Sequence, residues 1–328
     1  MVLKKNGGPV TRESLDLGKP LVSIIVITYN SSKYVLETLE SAKAQTYQNI
    51  ELIVTDDCSN DDTVKVCRNW VEENRGRFVR TEVITVPENT GIPANCNRGV
   101  KAAKGEWVKL IAGDDVLKPE LVTEAITFLR ANSCDILFFG LDLINENSHI
   151  VKNNVLGIKS LDKSISSIDN LNLINALDYN VFMGPASFIR TSVYSKIGIY
   201  DESLYVEDWD FFLRALDEGI IFNYLNAALV YYRQHKYNAW RKRRLVLESN
   251  IKMIYKYKNI KGHRYRIIQL ISRTVNGYFH DRHISFFDYK WLVKLIITKL
   301  SFSTISLFTY ITLIKLLLLG LFIKRENV

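Results

Sequence analysis

Residues 110–119 read LIAGDDVLKP, an apolar run that ends at a glycine and then delivers two adjacent carboxylates, Asp114 and Asp115. Two carboxylates side by side repel, which raises the pKa of one of them unless a counter-charge is present, and a divalent cation is the natural complement. An Asp before the helical stretch Pro119–Arg130 also serves as an N-cap, a reading that accounts for one acid and not for two. A second pair, Asp56 and Asp57, opens DDCSND after the apolar run ELIVT. A third acidic group, Glu207, Asp208 and Asp210, begins the amphipathic stretch EDWDFFLRALDEG. Acids in a first helical turn are favoured by the helix dipole, so this trio is an ordinary helix start unless one member faces a cleft.

Strands must hold these groups. VSIIVITYN from residue 22, ELIVT and WVKLI are apolar, β-branched runs of strand length, and amphipathic stretches YVLETLESAKAQ, DDTVKVCRNWVEEN and GIPANCNRGVKAAKG alternate with them. The β, α, β, α pattern predicts a mostly parallel sheet with helices on both faces, a fold that binds ligands at the carboxyl ends of its strands. Three polar clusters fall at those ends: TYN at 28–30, DDCSND at 56–61 and GDD at 113–115. There is no GxGxxG and no GxxxxGK[ST], which removes the usual dinucleotide and P-loop solutions. A metal on Asp114 and Asp115, bridging the oxygens of a diphosphate, would hold phosphate another way. Residues 142–180 are polar and rich in Asn and Ser and read as a loop-and-helix excursion, and the strand-like ALVYYRQH then places Arg233 and His235 two residues apart, on one side of an extended chain.

At 328 residues the chain is one large domain with an appendage, or two domains. Its net charge of +8 hides an asymmetry: residues 1–235 carry 24 Lys and Arg against 31 Asp and Glu, and residues 236–328 carry 19 against 4. The cysteines Cys58, Cys67, Cys96 and Cys134 lack CxxC spacing and read as reduced thiols. The stretch 1–20 has basic residues but no apolar run after them, so a secretory signal is not expected, and the nucleotide-accessible side of a membrane is the expected address.

Taken in order, TYN, DDCSNDD, NTG, NRGVKAAKGEW, GDD, VEDWDFFLR and YRQH resemble the inverting family 2 glycosyltransferases of the GT-A fold over residues 21–235. The resemblance implies a nucleotide-diphosphate sugar donor, most often a UDP-sugar, a divalent metal (Mn or Mg), and a place in bacterial surface-polysaccharide synthesis. Carried over position by position, it implies that Thr28 and Tyr29 line the base pocket and that Asp57 accepts from the uracil N–H. Asp114 contacts the ribose or the sugar, and Asp115, with Asp114 beside it, binds the metal. Asp208 is the general base, and Arg233 and His235 close over the phosphates. The family more often has Asp where Ala112 stands, and its ARN segment is here Asn95, Cys96 and Asn97, so Arg98 or Lys109 would replace an arginine near the diphosphate. A catalytically idle scaffold of a polysaccharide-assembly complex is the rival reading.

The basic tail, 236–328, includes RKRR at 241–244 and ends in long apolar stretches. Nothing in it resembles a base-reading motif, so no nucleic-acid partner is expected. Basic residues beside apolar ones fit an anionic membrane surface, at the cytoplasmic face of the inner membrane, with a glycan or polyprenyl-pyrophosphate-linked acceptor. Ile305–Ile323 is 19 residues, long enough to span, but Lys315 near its middle favours helices lying in the leaflet.

Overall fold

The computed structural model describes residues 19–155 and 183–257. Residues 1–18, most of the 142–180 excursion, and the tail from 258, with Ile305–Ile323 in it, lie outside the described residues. The described chain divides into two units. The first runs to Glu202 and resumes from Glu207 to His235, and the second comprises Ser203–Val206 and the residues from Lys236.

In the first unit β1 (Val22–Thr28), β2 (Ile50–Asp56), β3 (Arg80–Thr85) and β4 (Trp107–Ala112) pair in parallel in the order β3-β2-β1-β4. Nearly every residue of β1 and all of β2 are buried, which is why their sequences are continuous apolar runs. Ile24 and Val26 of β1 join the core with Val35 and Leu39 of α1 (Val35–Lys43) and Trp70 of α2 (Thr63–Asn74). Ile25, on the opposite face of the strand, meets α3 (Ile92–Ala102), where a Cβ on Gly99 would lie 2.3 Å from the Ile25 Cγ2. Only glycine lets that helix come so close.

Beyond β4 the sheet continues through β8 (Ser187–Arg190), β6 (Ile136–Ile144), β9 (Phe222–Arg233) and the two-residue β5 (Val116–Leu117), with β7 (Ile150–Val155) on β6. Here β8, β7 and β5 are antiparallel to their neighbours, while β6 and β9 are parallel. The sheet is therefore mixed, which corrects the expectation of a mostly parallel one. The reversed strands are short, two to six residues. Part of the expected loop at 142–180 is in fact the β6–β7 hairpin. Helices α4 (Leu121–Ala131), α5 (Thr191–Ile197) and α6 (Asp208–Asp217) complete the unit.

The second unit contains α7 (Arg243–Lys256), with Leu247, Ile251 and Met253 buried. The Ser249 hydroxyl of α7 accepts the N–H groups of both Tyr205 and Val206, at 2.9 Å each. Among the described residues no helix is long and apolar enough to cross a membrane.

Candidate active site

Parallel register sets the three polar clusters level. Thr28 pairs with Asp56, and Ile27 pairs with Ala112, so TYN, DDCSND and GDD all emerge from one edge of the sheet. Gly113 donates to the Ile27 carbonyl at 2.9 Å, and a Cβ there would sit 2.8 Å from the Thr28 side chain, so the turn into Asp114 is tight because residue 113 is glycine.

On the β1–β2 side the acids are fully engaged by the protein. Asp56 accepts from the Thr28 hydroxyl at 2.7 Å, the Ser59 hydroxyl at 2.6 Å and the Ser59 N–H at 2.8 Å. Asp57 accepts from the Thr90 hydroxyl at 2.6 Å, the Gly91 N–H at 2.7 Å, the Thr90 N–H at 3.0 Å and the Arg98 guanidinium at 2.6 Å. Burial alone would raise the Asp57 pKa, but these donors outweigh it and hold the carboxyl below its ordinary range. Thr28 and Asp57 thus brace the strand ends and the loop at Thr90 and Gly91, and Tyr29, 44% exposed, is the most open member of the set.

The β4 pair differs. Asp115 is 1% exposed, and its Oδ1 accepts the Arg233 N–H at 2.8 Å. Its Oδ2 is buried without a hydrogen-bond partner. Burial, and then the charge of Asp114, push its pKa well above the usual carboxylate range. Asp114 is less buried, and its Oδ2 lies 2.8 Å from the His235 Nε2. Of the two expected metal ligands, Asp114 lies against His235, which was expected over the phosphates, and Asp115 is buried. The carboxylate of Asp114 suits Mn or Mg, whereas imidazole is a commoner ligand of softer metals. Among the described residues no three of His, Cys, Asp and Glu gather, so a cation here would take its remaining ligands from a bound diphosphate and water.

Arg233, expected over the phosphates, is buried, and its guanidinium points into the frame. It donates to the Asp114 carbonyl at 2.7 Å, the Ser148 hydroxyl at 2.8 Å and the Glu37 carboxylate at 2.5 Å. The ring of Tyr34 lies 4.6 Å from that guanidinium and 5.1 Å from the imidazole of His235. The Arg233 backbone and side chain staple Asp115, α1 and the β6–β7 hairpin, whereas His235, two residues on and past the end of β9, meets the Asp114 carboxylate.

Neither proposed substitute for the missing arginine is available. Arg98 is held on Asp57 and Thr90. Lys109 is buried in the sheet, where its ammonium donates to the carbonyls of Pro185 at 2.5 Å, Leu110 at 3.1 Å and Ser187 at 3.3 Å, and burial pulls its pKa down to about 7. It clamps the turn Gly184–Ala186, whose Gly184 N–H donates to the Asp208 Oδ2 at 3.0 Å. Asp208 is the first residue of α6. Asp210 is buried and accepts from the Arg214 guanidinium at 2.9 Å, so it is bound to its own helix. Burial, then repulsion by Asp208, raise the Glu207 pKa to about 8.

One helix links both sides. In α3, Asn95 donates to the Thr28 carbonyl at 3.1 Å and accepts from the Thr55 hydroxyl at 2.7 Å, whereas Asn97 donates to the Tyr200 carbonyl and to Glu202 at 2.9 and 2.8 Å. The segment lacking the arginine is thus a buried brace between the strand ends and the approach to Asp208. Sequence reasoning missed Asn97, Tyr34 and the clamping role of Lys109. A lysine inside the apolar run VKLIA was the visible signal for the last.

The profile of Glycosyl transferase family 2 matches residues 23–198, more than half of the chain. The chain is 30% identical over 263 residues to the UDP-Glc:alpha-D-GlcNAc-diphosphoundecaprenol beta-1,3-glucosyltransferase WfaP of Escherichia coli, covering 78% of this chain and 94% of that one. It is 31% identical over 200 residues to the uncharacterized glycosyltransferase RT0329 of Rickettsia typhi, matching 60% of this chain but only 59% of the relative's length. Among solved structures, residues 1–349 of Staphylococcus aureus TarS with UDP-GlcNAc superpose with a TM-score of 0.63 at 21% identity, covering 85% of this chain and 80% of that one. The Pyrobaculum calidifontis mannosyltransferase PcManGT with GDP-Man and Mn2+ gives 0.57 at 15% identity, over 92% and 87%. At such identities the structural likeness establishes the fold, GT-A, and no more.

Proposed function

Because the chain belongs to glycosyl transferase family 2, we propose that it transfers one sugar, with inversion, from a UDP-sugar to a hydroxyl of a lipid-linked glycan in cell-surface polysaccharide synthesis. The observation that carries this reading is the under-compensated acid pair at the end of β4, next to His235 and level with the β1 and β2 ends. Such a site favours a bound cation and, through it, a diphosphate.

In this reading Tyr29 packs on the base, with Thr28 and Asp57 holding the pocket's shape. Asp114 and His235 hold Mn or Mg, which when bound supplies charge neutralisation at the departing diphosphate. Asp115 keeps the Asp114 turn and the Arg233 backbone in place. Asp208 accepts the proton of the acceptor hydroxyl on a carboxylate oxygen as that hydroxyl attacks the anomeric carbon and the bond to the UDP oxygen breaks. Attack from the face opposite the leaving group inverts the carbon. The Gly184 N–H, donating to the Asp208 Oδ2, fixes the orientation of that carboxylate, as a base requires. The polyprenyl-pyrophosphate acceptor is supported by the likeness to WfaP, whose substrate is diphosphoundecaprenol-linked, and the placement at the cytoplasmic face of the membrane rests on the charge asymmetry of the chain.

Full-length protein, supplied with a panel of UDP-sugars, Mn and a polyprenyl-pyrophosphate-linked sugar, should yield one product whose new linkage has the anomeric configuration opposite to that of the donor. A retained configuration overturns the in-line reading. Absence of turnover with every donor, together with absence of UDP binding, leaves the scaffold reading.

A further inference from the structure

The second unit carries a surface whose chemistry the transfer reaction does not use. Lys236, Tyr237 and residues 239–245 are exposed, with Tyr237 at 74%, Trp240 at 44% and Leu245 at 43%. Five of these residues are cations: Lys236, Arg241, Lys242, Arg243 and Arg244. The first acid after Lys236 is Glu248. Cations and rings are interleaved in space as well as in sequence, since the Lys236 ammonium lies 4.9 Å from the Tyr237 ring and the Arg241 guanidinium 4.6 Å from the Trp240 ring. Amphipathic rings set among basic side chains suit the headgroup layer of a bilayer, where the ring bodies enter the interface and the cations meet phosphates. Single-stranded nucleic acid would instead need open ring faces for base stacking, and here each ring already has a cation on one face.

The same unit holds the chain just before the proposed base. Tyr205 and Val206 donate their N–H groups to Ser249 of α7, and the Tyr205 hydroxyl donates to the Ala239 carbonyl at 3.3 Å, within the exposed stretch itself. Val206 is followed in sequence by Glu207 and Asp208. We infer that Lys236–Leu245 docks on anionic phospholipid headgroups, and that docking holds Tyr205 and Val206, which this unit binds, at the membrane surface, where the reactive end of a lipid-linked acceptor lies. The inference rests on the lipid-linked acceptor proposed above and adds the surface and the lipid class.

The test uses the full chain and sedimentation with vesicles of phosphatidylcholine alone or with about a third phosphatidylglycerol, at about physiological salt. Two variants are compared: R241Q/K242Q/R243Q/R244Q, and Y237S/W240S, each checked for an unchanged far-ultraviolet spectrum and melting point. Wild type should bind the anionic vesicles. The charge variant should bind them at least about thirtyfold more weakly, each lost cation costing severalfold. The aromatic variant should lose about tenfold on both vesicle types. As a control independent of variant folding, wild-type retention should fall as salt is raised. Turnover of a lipid-linked acceptor in vesicles should drop in both variants while turnover of a short-chain, soluble analogue holds. Wild-type affinity in both variants overturns the docking surface but leaves the membrane reading standing. Failure of wild type to bind either vesicle overturns the membrane reading and the inference with it. Binding to duplex DNA as tight as to the anionic vesicles also overturns it.

Discussion

The two adjacent-acid pairs at neighbouring strand ends, Asp56–Asp57 after β2 and Asp114–Asp115 after β4, are alike in sequence and opposite in electrostatics. Every oxygen of the first pair accepts from a protein hydroxyl, amide or guanidinium, and the Asp57 pKa falls. In the second, one Asp115 oxygen has no partner, burial raises its pKa, and Asp114 meets only an imidazole through its side chain. A compensated pair is a structural tie that orders the loop at Thr90 and Gly91. An under-compensated pair, held rigidly by Arg233 and by the Thr38 hydroxyl on the Asp115 carbonyl at 2.7 Å, stores an unmet demand for positive charge. The difference separates a pair satisfied by the protein from one that is not, without reference to either motif's pattern.

The largest effect should come from Asp114→Asn, which removes a carboxylate from the cation site with little change of shape. Turnover of the preferred UDP-sugar is expected to fall about 10³-fold, on the scale of charge stabilisation by a bound metal. Near-normal turnover, with thermal unfolding unchanged, would assign the cation to other residues. Asp57→Asn should act on the opposite quantity, lowering stability by about 3 kcal/mol because several buried donors lose an ionised acceptor. Its sign with pH follows from the depressed folded pKa: the stabilisation is present above the ordinary Asp value and is lost as pH falls through the folded one. Urea unfolding should therefore show the variant's deficit shrinking in acid, and a deficit that is constant with pH would contradict the tie.

Manganese offers a third contrast. At a hundredfold excess over its Kd it should stabilise the wild type by about 2.7 kcal/mol. The shift should vanish in Asp114→Asn and survive in Asp57→Asn, as read by thermal unfolding with and without EDTA. Equal shifts in all three proteins would place metal binding elsewhere. Glu207→Gln tests a third, mixed case. The Glu207 pKa, raised from 4.5 to about 8, makes the native state hold a proton that the unfolded chain releases. Wild-type stability should thus decline as pH rises between those values and level off above the upper one. Glu207→Gln should flatten that decline, which parallel denaturation curves would reveal.

Much of this site was legible early. Apolar runs of strand length, each ending in polar residues, placed Thr28, Asp57 and Asp114 on a common edge, and parallel register made that edge level. Asp208, on a separate helix, was singled out from its neighbours only by the family resemblance, and in the structure Asp210 is tied to Arg214 of its own helix. The roles within each pair were not legible. Which of two adjacent side chains turns inward depends on partners far along the chain: Asp115 is buried by an N–H from a residue 118 positions away. Arg233 and His235 looked equivalent by spacing, yet one became the frame's guanidinium staple and the other the neighbour of Asp114.

What the sequence determined by itself, then, is the strands β1, β2 and β4, the edge at which their polar ends must meet, and the charge contrast between residues 1–235 and the basic tail, because these follow from periodicity, burial of apolar runs and simple counting. The tertiary structure alone decided the mixed order of the sheet, the inward turn of Arg233 and Asp115, and the clamp of Lys109 on the turn that aims Asp208. Those depend on short reversed strands and single hydrogen bonds between distant residues, whose energies of about 1 kcal/mol leave no periodic trace along the chain.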